Sequence, residues 1–359
     1  MTYGNYNAPL WVILPKLSNK ALERRSISAD GIFFELNKWL TGLDYYLLAK
    51  YNKNDNKSPE EQGHSLLQEI TKRKPPFILA LEDEVLTFLA PQTLQKGEKK
   101  ALNKWAGSLL QSELFNWRHY IMGTYSPETI FGQYELKDIV LNLDIGKLKA
   151  EIEHYKKMGV HDSLPSRELI TCLKPEEAIT ELTSSLGYIM KEKISVDIET
   201  LRPKFNSSIF DEYHPGIPYT LGIAFSPMRA ISFPLWEWPI EDTMKILRVV
   251  ANLFNEVPTI GQNIYNFDLY FLESLGFSFK EIIDIRIRHH ILWPELSHKL
   301  MFMTRQYTRE PYYKDDGKNY VPRNDVIKRR LLRYNALDAA ITYEIYNAQE
   351  EELKERGLV

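Results

Sequence analysis

Two acidic residues end a short apolar segment, residues 194–200, and form the chain's first candidate for chemistry. The segment reads as a strand, in which alternate side chains share a face. Asp197 and Glu199 would therefore point into one small volume, while Val196 and Ile198 would point the other way. Carboxylates held this close repel each other unless a cation lies between them. Taken alone, the pair is equally consistent with a metal site and with the solvated acids of an edge strand.

Two further acidic motifs follow in order along the chain. The first contains Asn263 and, five positions later, Asp268. The second begins with Tyr334 and ends with Asp338, within a stretch that reads as a helix. Helix positions four apart lie on one face, so this phenol and this carboxylate would be presented together. Each motif alone is common, but the ordered set predicts one site that holds four carboxylates and a phenol.

A site made only of carboxylate oxygens suits Mg²⁺ or Mn²⁺. Two such ions about 4 Å apart can activate a water and stabilise the leaving oxygen at a phosphodiester. Several negative ligands are needed because two divalent cations and a phosphate must be held together. The phenol of Tyr334 could orient the attacking water or help to deprotonate it. The sequence therefore predicts an enzyme that hydrolyses phosphodiesters with two divalent metal ions as cofactors.

Gly-Gln-Asn at 261–263 and Tyr-Asn-Ala-Leu-Asp-Ala at 334–339 carry a family resemblance. They resemble the acidic-quartet 3′→5′ exonucleases of the ribonuclease H-like superfamily, in the subclass with tyrosine in the last motif. Within that group they are most similar to the proofreading domain of family A DNA polymerases. The resemblance covers about residues 190–350. It implies a mixed-sheet ribonuclease H-like fold and removal of 5′-mononucleotides from single-stranded or frayed DNA 3′ ends.

The same resemblance implies a role for each acidic residue. Asp197 would bridge both metals, and Glu199 and Asp338 would help to hold the metal on the nucleophile side. Asp268 would serve the other metal, partly through water, and Tyr334 would position the attacking water. Two alternatives stay open at this stage, a catalytically silent DNA-binding or scaffold module and an exoribonuclease with the same site.

Substrate contacts are expected from four other residues. By resemblance, Asn263 would hydrogen-bond near the terminal nucleotide and Leu201 would wedge against the terminal base. Arg309 and Tyr312 lie in a stretch where basic and aromatic residues alternate, a composition that can grip phosphates and stack unpaired bases. The same composition is equally consistent with a solvated loop and core tyrosines.

The first half of the chain predicts a separate domain. Strands such as Phe77–Leu81 and Tyr120–Tyr125 alternate with helices, which indicates an α/β domain with a mainly parallel sheet. A break in the helical pattern places the boundary near residue 170. We therefore expect an α/β protein of two domains, residues 1–170 with a linker and residues 171–359.

The order of segments in this first half resembles the uracil-DNA glycosylase-like fold. The residues that carry the resemblance are Phe77–Leu81, Glu84-Val85-Leu86, Lys104-Trp105-Ala106-Gly107, Gly123-Thr124-Tyr125-Ser126-Pro127 and Leu143-Asp144. The chemistry does not carry over, since the loop after the first strand reads Leu-Pro-Lys-Leu-Ser-Asn and Tyr125 stands where the family has histidine. We expect a degenerate domain that contacts DNA or acts as a scaffold, with a working glycosylase as the lesser alternative.

Composition limits the remaining classes of function. The 359 residues carry a net charge of −3, so only a local basic groove could bind nucleic acid. A single cysteine, Cys172, excludes an intrachain disulfide framework, a thiolate zinc site and an iron–sulfur cluster. The sequence shows no signal pattern and no apolar run of about 18 residues. We expect an intracellular protein without a membrane segment. Nothing that resembles a polymerase palm follows the last motif, so we expect that this chain does not polymerise, and the resemblance implies a polymerase domain or subunit as its partner.

Overall fold

The computed structural model describes residues 2–17, 32–52, 55–94, 100–130, 133, 136–137, 139–189, 192–201, 216–317 and 322–358. The chain forms two compact α/β units. One comprises residues 1–164 with 309–312, and the other comprises residues 165–308 with 313–359. No helix in the described part of the chain has both the length and the apolar character for crossing a membrane.

The first unit alternates strands and helices around one sheet. Its elements are β1 (Thr2–Gly4), β2 (Leu10–Leu17), α1 (Ile32–Trp39), β3 (Tyr45–Asn52), α2 (Pro59–Arg73), β4 (Phe77–Leu81), α3 (Asp83–Leu89), α4 (Leu102–Trp105), β5 (Leu109–Leu110), β6 (Tyr120–Thr124) and α5 (Gly146–Met158). The strand order is β1-β3-β2-β4-β6-β5. The four inner strands pair in parallel and the two edge strands pair antiparallel. The predicted mainly parallel sheet is confirmed.

Apolar side chains cover both faces of this sheet. All five residues of β4 are buried, as expected of a central parallel strand with helices on both sides. In β2, Leu10 and Val12 belong to one core and Trp11 and Ile13 to the other. The strand period of two thus divides the unit into two apolar layers.

The second unit is built on a mixed sheet. Its elements are β7 (Glu168–Thr171), α6 (Pro175–Ile189), β8 (Ile194–Leu201), β9 (Ile217–Ser226), β10 (Arg229–Pro234), α7 (Ile240–Glu256), β11 (Thr259–Gly261), α8 (Asp268–Ser274), β12 (Ile282–Asp284), α9 (Ile285–Leu292), α10 (Leu300–Tyr307) and α11 (Asp325–Glu355). The strand order is β12-β11-β8-β9-β10-β7. Strands β8, β9 and β10 form an antiparallel meander, while β11 and β12 add in parallel on one side and β7 on the other.

The two faces of this sheet carry different helices. Val196 and Ile198 of β8 lie in a core with apolar residues of α6, α7 and α8. The opposite face packs against α11, whose alanines lie beside Ala224 and Ala230. Because alternate residues of a strand point to opposite faces, Asp197 and Glu199 face the side covered by α11.

Helix α11 lies unusually close to the sheet at Gly222. This glycine of β9 pairs with Asp197 of β8. A Cβ atom at Gly222 would lie 2.8 Å from the backbone oxygen of Asn335 and 2.8 Å from its side-chain oxygen. Real Cβ contacts are essentially never this short. Only glycine therefore permits the observed separation of helix and sheet.

We predict that Gly222→Ala destabilises the second unit by about 1–3 kcal/mol, because the methyl group forces α11 away from β9. The free energy of unfolding, measured by urea titration, checks this. Gly146→Ala is the matched control, since the nearest atom to its new Cβ would be 3.9 Å away. We expect that control to be neutral or stabilising by up to about 1 kcal/mol. Equal stability of the wild type and Gly222→Ala would contradict the prediction.

Candidate active site

The end of β11 opens the sheet beside β8. In β8, strand β11 pairs with Ile194 and Ser195, and it ends at Gly261. The N–H of Ile194 donates to the backbone oxygen of Pro258, just before β11. Because backbone N–H groups alternate in direction along a strand, the N–H of Ile198 points to the same side of β8. There it donates to Oδ1 of Asp268 at 3.0 Å. The carboxylate of Asp268, the first residue of α8, thus takes the place of a strand partner between the two acids of β8.

Three of the four predicted acids converge on one point. Ligand oxygens of Asp197, Glu199 and Asp338 all lie within 4.8 Å of one another. Asp338 is supplied by α11 and is almost fully buried, as is Asp268. Strand β8, the start of α8 and helix α11 therefore bring the predicted quartet to one end of the sheet.

Asn335 holds the carboxylate of Asp197 in place. Its side-chain Nδ2 donates to the backbone oxygen of Asp197 at 2.9 Å and to Oδ2 of the same residue at 2.7 Å. Its Oδ1 accepts from the hydroxyl of Ser232 at 2.7 Å. Asn335 is completely buried. Its amide has partners on both sides, so the orientation of the Asp197 carboxylate is fixed from α11.

Both oxygens of Asp338 have partners. The hydroxyl of Tyr313 donates to Oδ1 at 2.5 Å. The Nζ of Lys314 donates to Oδ2 at 2.5 Å and to the hydroxyl of Tyr334 at 3.0 Å. Lys314 therefore connects the carboxylate and the phenol of the third motif.

Crowding and burial disfavour the charged forms of these acids. Burial raises the pKa of Asp197 well above its usual range, and the charges of Asp338 and Glu199 raise it further. Burial and the Asp338 charge raise the pKa of Glu199 to about 8. Burial also raises the pKa of Asp268 to about 7, although backbone N–H groups oppose the change. A divalent cation would remove this penalty.

The donors fit a divalent metal ion. Asp197, Glu199 and Asp338 offer only carboxylate oxygens, which suit a hard cation such as Mg²⁺ or Mn²⁺. Asp268 adjoins this group and carries a carboxylate that is buried and coupled electrostatically to Asp338. The first three residues would hold one ion, and Asp268 offers a ligand for another.

Residues 237–354 match a protein-family model described as 3′–5′ exonuclease. The chain contains a 3′–5′ exonuclease domain. The match includes Asp268, Tyr334 and Asp338, whereas Asp197 and Glu199 precede it. Those two residues lie on β8, where their carboxylates are close to that of Asp338. No curated protein matches the chain.

Solved structures similar to this chain include nucleases and a polymerase. The catalytic core of RRP6 from Trypanosoma brucei has 16% identity and a TM-score of 0.42, over 55% of this chain and 50% of that chain. NrnC of Brucella melitensis with bound Mg²⁺ has 13% identity and a TM-score of 0.36, over 54% and 84%. The POL domain of Pol1 from M. smegmatis, in complex with DNA primer-template and dNTP, has 14% identity and a TM-score of 0.37, over 52% and 27%. The chain thus spans half the length of the RRP6 core and about a quarter of the Pol1 chain.

The structure places Leu201 and Asn263 at the carboxyl ends of β8 and β11, two neighbouring parallel strands of the second unit. Leu201 ends β8 and is partly exposed. Asn263 follows β11 in a left-handed backbone conformation, and its N–H donates to Oδ1 of Asp284 at 2.9 Å. The side-chain oxygen of Asn263 accepts from Arg286 and, at 2.9 Å, from Asn266. Contact of Leu201 and Asn263 with a nucleotide stays a prediction.

Arg309 and Tyr312 lie among residues of the first unit rather than in the acidic cluster. The guanidinium of Arg309 makes two hydrogen bonds to the carboxylate of Glu151, at 2.7 and 2.8 Å. The ring of Tyr312 contacts that of Trp105 at a centroid distance of 5.4 Å. The expectation that these two residues bind substrate stays a prediction.

Sequence reasoning missed the roles of Asn335 and Tyr313. Asn335 stands next to Tyr334 within the third motif, and one helical step turns it toward β8. Tyr313 lies in the basic and aromatic stretch. Because its side chain is buried and its hydroxyl donates to Asp338, it is a packed residue rather than one that stacks on bases. The sequence did contain one signal for Asn335: a polar residue flanked by apolar helix positions, which indicates a buried side chain with a hydrogen-bond partner.

We predict that Asn335→Ala weakens divalent-metal binding about 10- to 100-fold, because Asp197 loses the partner that orients it. Calorimetric titration with Mn²⁺ in the absence of nucleic acid measures the affinity. Asn266→Ala is the control, since its side chain donates to Asn263 and, within the described part of the chain, makes no hydrogen bond to the four acids. An unchanged Mn²⁺ affinity in Asn335→Ala would show that Asp197 is oriented without it.

We also predict that Mg²⁺ stabilises the protein more at about pH 8.5 than at about pH 5.5. Glu199 has a pKa of about 8 in the metal-free fold, above its ordinary value of 4.5. The folded state therefore binds more protons than the unfolded state between these values, so metal-free stability falls as pH rises through them. Mg²⁺ requires the ionised carboxylates and restores more stability at the higher pH. Thermal unfolding with Mg²⁺ or EDTA checks this, and an equal shift at both pH values would oppose it.

Proposed function

We propose that the second unit removes nucleotides from DNA 3′ ends, with two divalent ions, Mg²⁺ or Mn²⁺, as cofactors. The observation that carries the proposal is the convergence of Asp197, Glu199 and Asp338 within 4.8 Å. It is joined by the match of residues 237–354 to a 3′–5′ exonuclease family model. A buried group of acids costs stability when no cation is bound, which supports a catalytic site over a silent scaffold.

Each acid has a separate task in this proposal. Asp197 would serve both ions, Glu199 and Asp338 would help to hold the first, and Asp268 would serve the second. When bound, the ions supply an activated water and stabilise the leaving 3′ oxygen. Asn335 keeps the Asp197 carboxylate turned toward the other ligands. The hydrogen bond from Ile198 holds Asp268 beside them.

Tyr334 orients the attacking water rather than taking its proton. Burial and the charge of Asp338 raise the pKa of this phenol far above its usual range. The hydroxyl therefore stays protonated at neutral pH and acts through hydrogen bonds. The sequence allows Tyr334 either to orient the attacking water or to help deprotonate it, and the raised pKa favours the first role.

The choice of DNA and of proofreading rests on the motifs. Gly-Gln-Asn at 261–263 and Tyr-Asn-Ala-Leu-Asp-Ala at 334–339 resemble the proofreading domains of family A polymerases. We propose a polymerase domain or subunit as the partner and an intracellular setting. The first unit would position DNA or that partner rather than cut, in line with its degenerate glycosylase-like motifs.

We predict that the full chain shortens a 5′-labelled single-stranded DNA stepwise from its 3′ end when Mg²⁺ is present. The variant with Asp197→Ala and Asp268→Ala should lose at least about a thousandfold in rate, because ligands of both ions are removed. Asp242→Ala on α7 is the control, since its carboxylate pairs with Lys245 on the surface of that helix and lies outside the acidic cluster. Product ladders on denaturing gels and mononucleotide release provide the readout.

The same assay separates the competing functions. Faster hydrolysis of an RNA oligomer of identical sequence would assign an exoribonuclease, because only contacts at the 2′ position distinguish the polymers. Activity that survives in the double variant would refute the assigned site. A wild-type protein that neither cuts nor binds Mn²⁺ would support a scaffold instead.

A further inference from the structure

A lysine contacts the acidic cluster at Asp338. The Nζ of Lys314 lies 2.5 Å from Oδ2 of Asp338 and 3.0 Å from the hydroxyl of Tyr334. It also lies over the rings of Tyr334 and Tyr313, at 5.0 and 5.2 Å from their centroids. Its positive charge counteracts the repulsion among Asp197, Asp338 and their neighbours. This ammonium is therefore the resident counterion of the group that would bind metal.

Tyr313 and Lys314, which contact the two carboxylate oxygens of Asp338, differ in how easily they can exchange. Tyr313 is buried, with 8% of its surface exposed, and its hydroxyl is fixed on Oδ1. The side chain of Lys314 is 20% exposed and has a flexible four-carbon stem. It belongs to a short 3₁₀ turn, Lys314–Gly317. A cation that takes Oδ2 of Asp338 must displace the lysine, while Tyr313 can keep its hydrogen bond.

After displacement from Asp338, the ammonium of Lys314 keeps other contacts within the site. Its second hydrogen bond is to the hydroxyl of Tyr334, and two aromatic faces lie beside it. Cation–π contacts of this kind favour a desolvated ammonium. Lys314 would therefore move away from Asp338 but remain next to the residue that orients the attacking water. The anionic group nearest to that water during hydrolysis is the scissile phosphate.

We propose that Lys314 is a displaceable counterion, held by Asp338 without metal and turned to the scissile phosphate when metal binds. This inference rests on the proposed nuclease function. The lysine forms no covalent bond and transfers no proton. It would donate a hydrogen bond to a non-bridging oxygen, whose negative charge grows in the transition state, and so serve as a further catalytic residue. A lysine suits this role as a mobile point charge with three donors.

Lys314→Met tests the proposal, because methionine keeps most of the length of the side chain and removes its charge. Without a competing ammonium, Mn²⁺ should bind about tenfold more tightly in a calorimetric titration of the full chain without nucleic acid. At saturating metal, the single-turnover rate on single-stranded DNA should fall about tenfold or more, because the phosphate loses a donor. Lys314→Arg should keep part of the rate. Thermal unfolding confirms that both variants fold.

Lys245→Met is the matched control, since it removes a paired lysine from the exposed surface of α7. It should leave both the Mn²⁺ affinity and the rate unchanged. Either an unchanged Mn²⁺ affinity or an unchanged rate at saturating metal in Lys314→Met overturns the proposal. A wild-type chain that fails to cut DNA or RNA refutes the proposed function instead. If the wild type is active and Lys314→Met changes neither the Mn²⁺ affinity nor the rate, only the role of the lysine is refuted.

Discussion

Repulsion among carboxylates that share one end of a sheet is the constraint on which the second unit depends. Burial raises the pKa of Glu199 to about 8 and that of Asp268 to about 7, so the metal-free fold resists their ionisation. Neighbouring groups offset the cost of ionising these buried carboxylates, each at one acid. Asn335 donates to Asp197, the backbone of Ile198 donates to Asp268, and Lys314 neutralises Asp338. Each of these contacts holds an acid where a cation can use it.

Close packing makes these contacts reachable. Asn335 can touch Asp197 only because β9 carries no side chain at Gly222, where α11 crosses it. Alanines line the rest of this contact, including Ala336 and Ala340 on the helix. Small residues here place the third motif within hydrogen-bonding distance of the first. The close packing of α11 on the sheet and the arrangement of the acidic cluster therefore depend on the same small residues.

Local periodicity in the sequence predicted much of the fold and which acids would lie together. Alternation in β8 separates Asp197 from its apolar neighbours, and the four-residue spacing of Tyr334 and Asp338 places them on one side of α11. The contacts of Asn335 could not be predicted in this way, because they depend on how closely a helix approaches a sheet. Likewise, nothing local in the stretch around Tyr313 distinguishes a buried hydroxyl on a carboxylate from a ring that stacks on bases.

The shortness of β11 has a consequence for how such a site can change. Its three residues end before Ile198, and a side chain rather than a strand accepts that N–H. If β11 were two or three residues longer, its backbone would satisfy Ile198 and fill the gap in which Asp268 now lies. The sheet would become more regular, and the opening between its strands would close. The present arrangement of the acids thus depends on the short β11, and a longer β11 would displace Asp268 even with every acid retained.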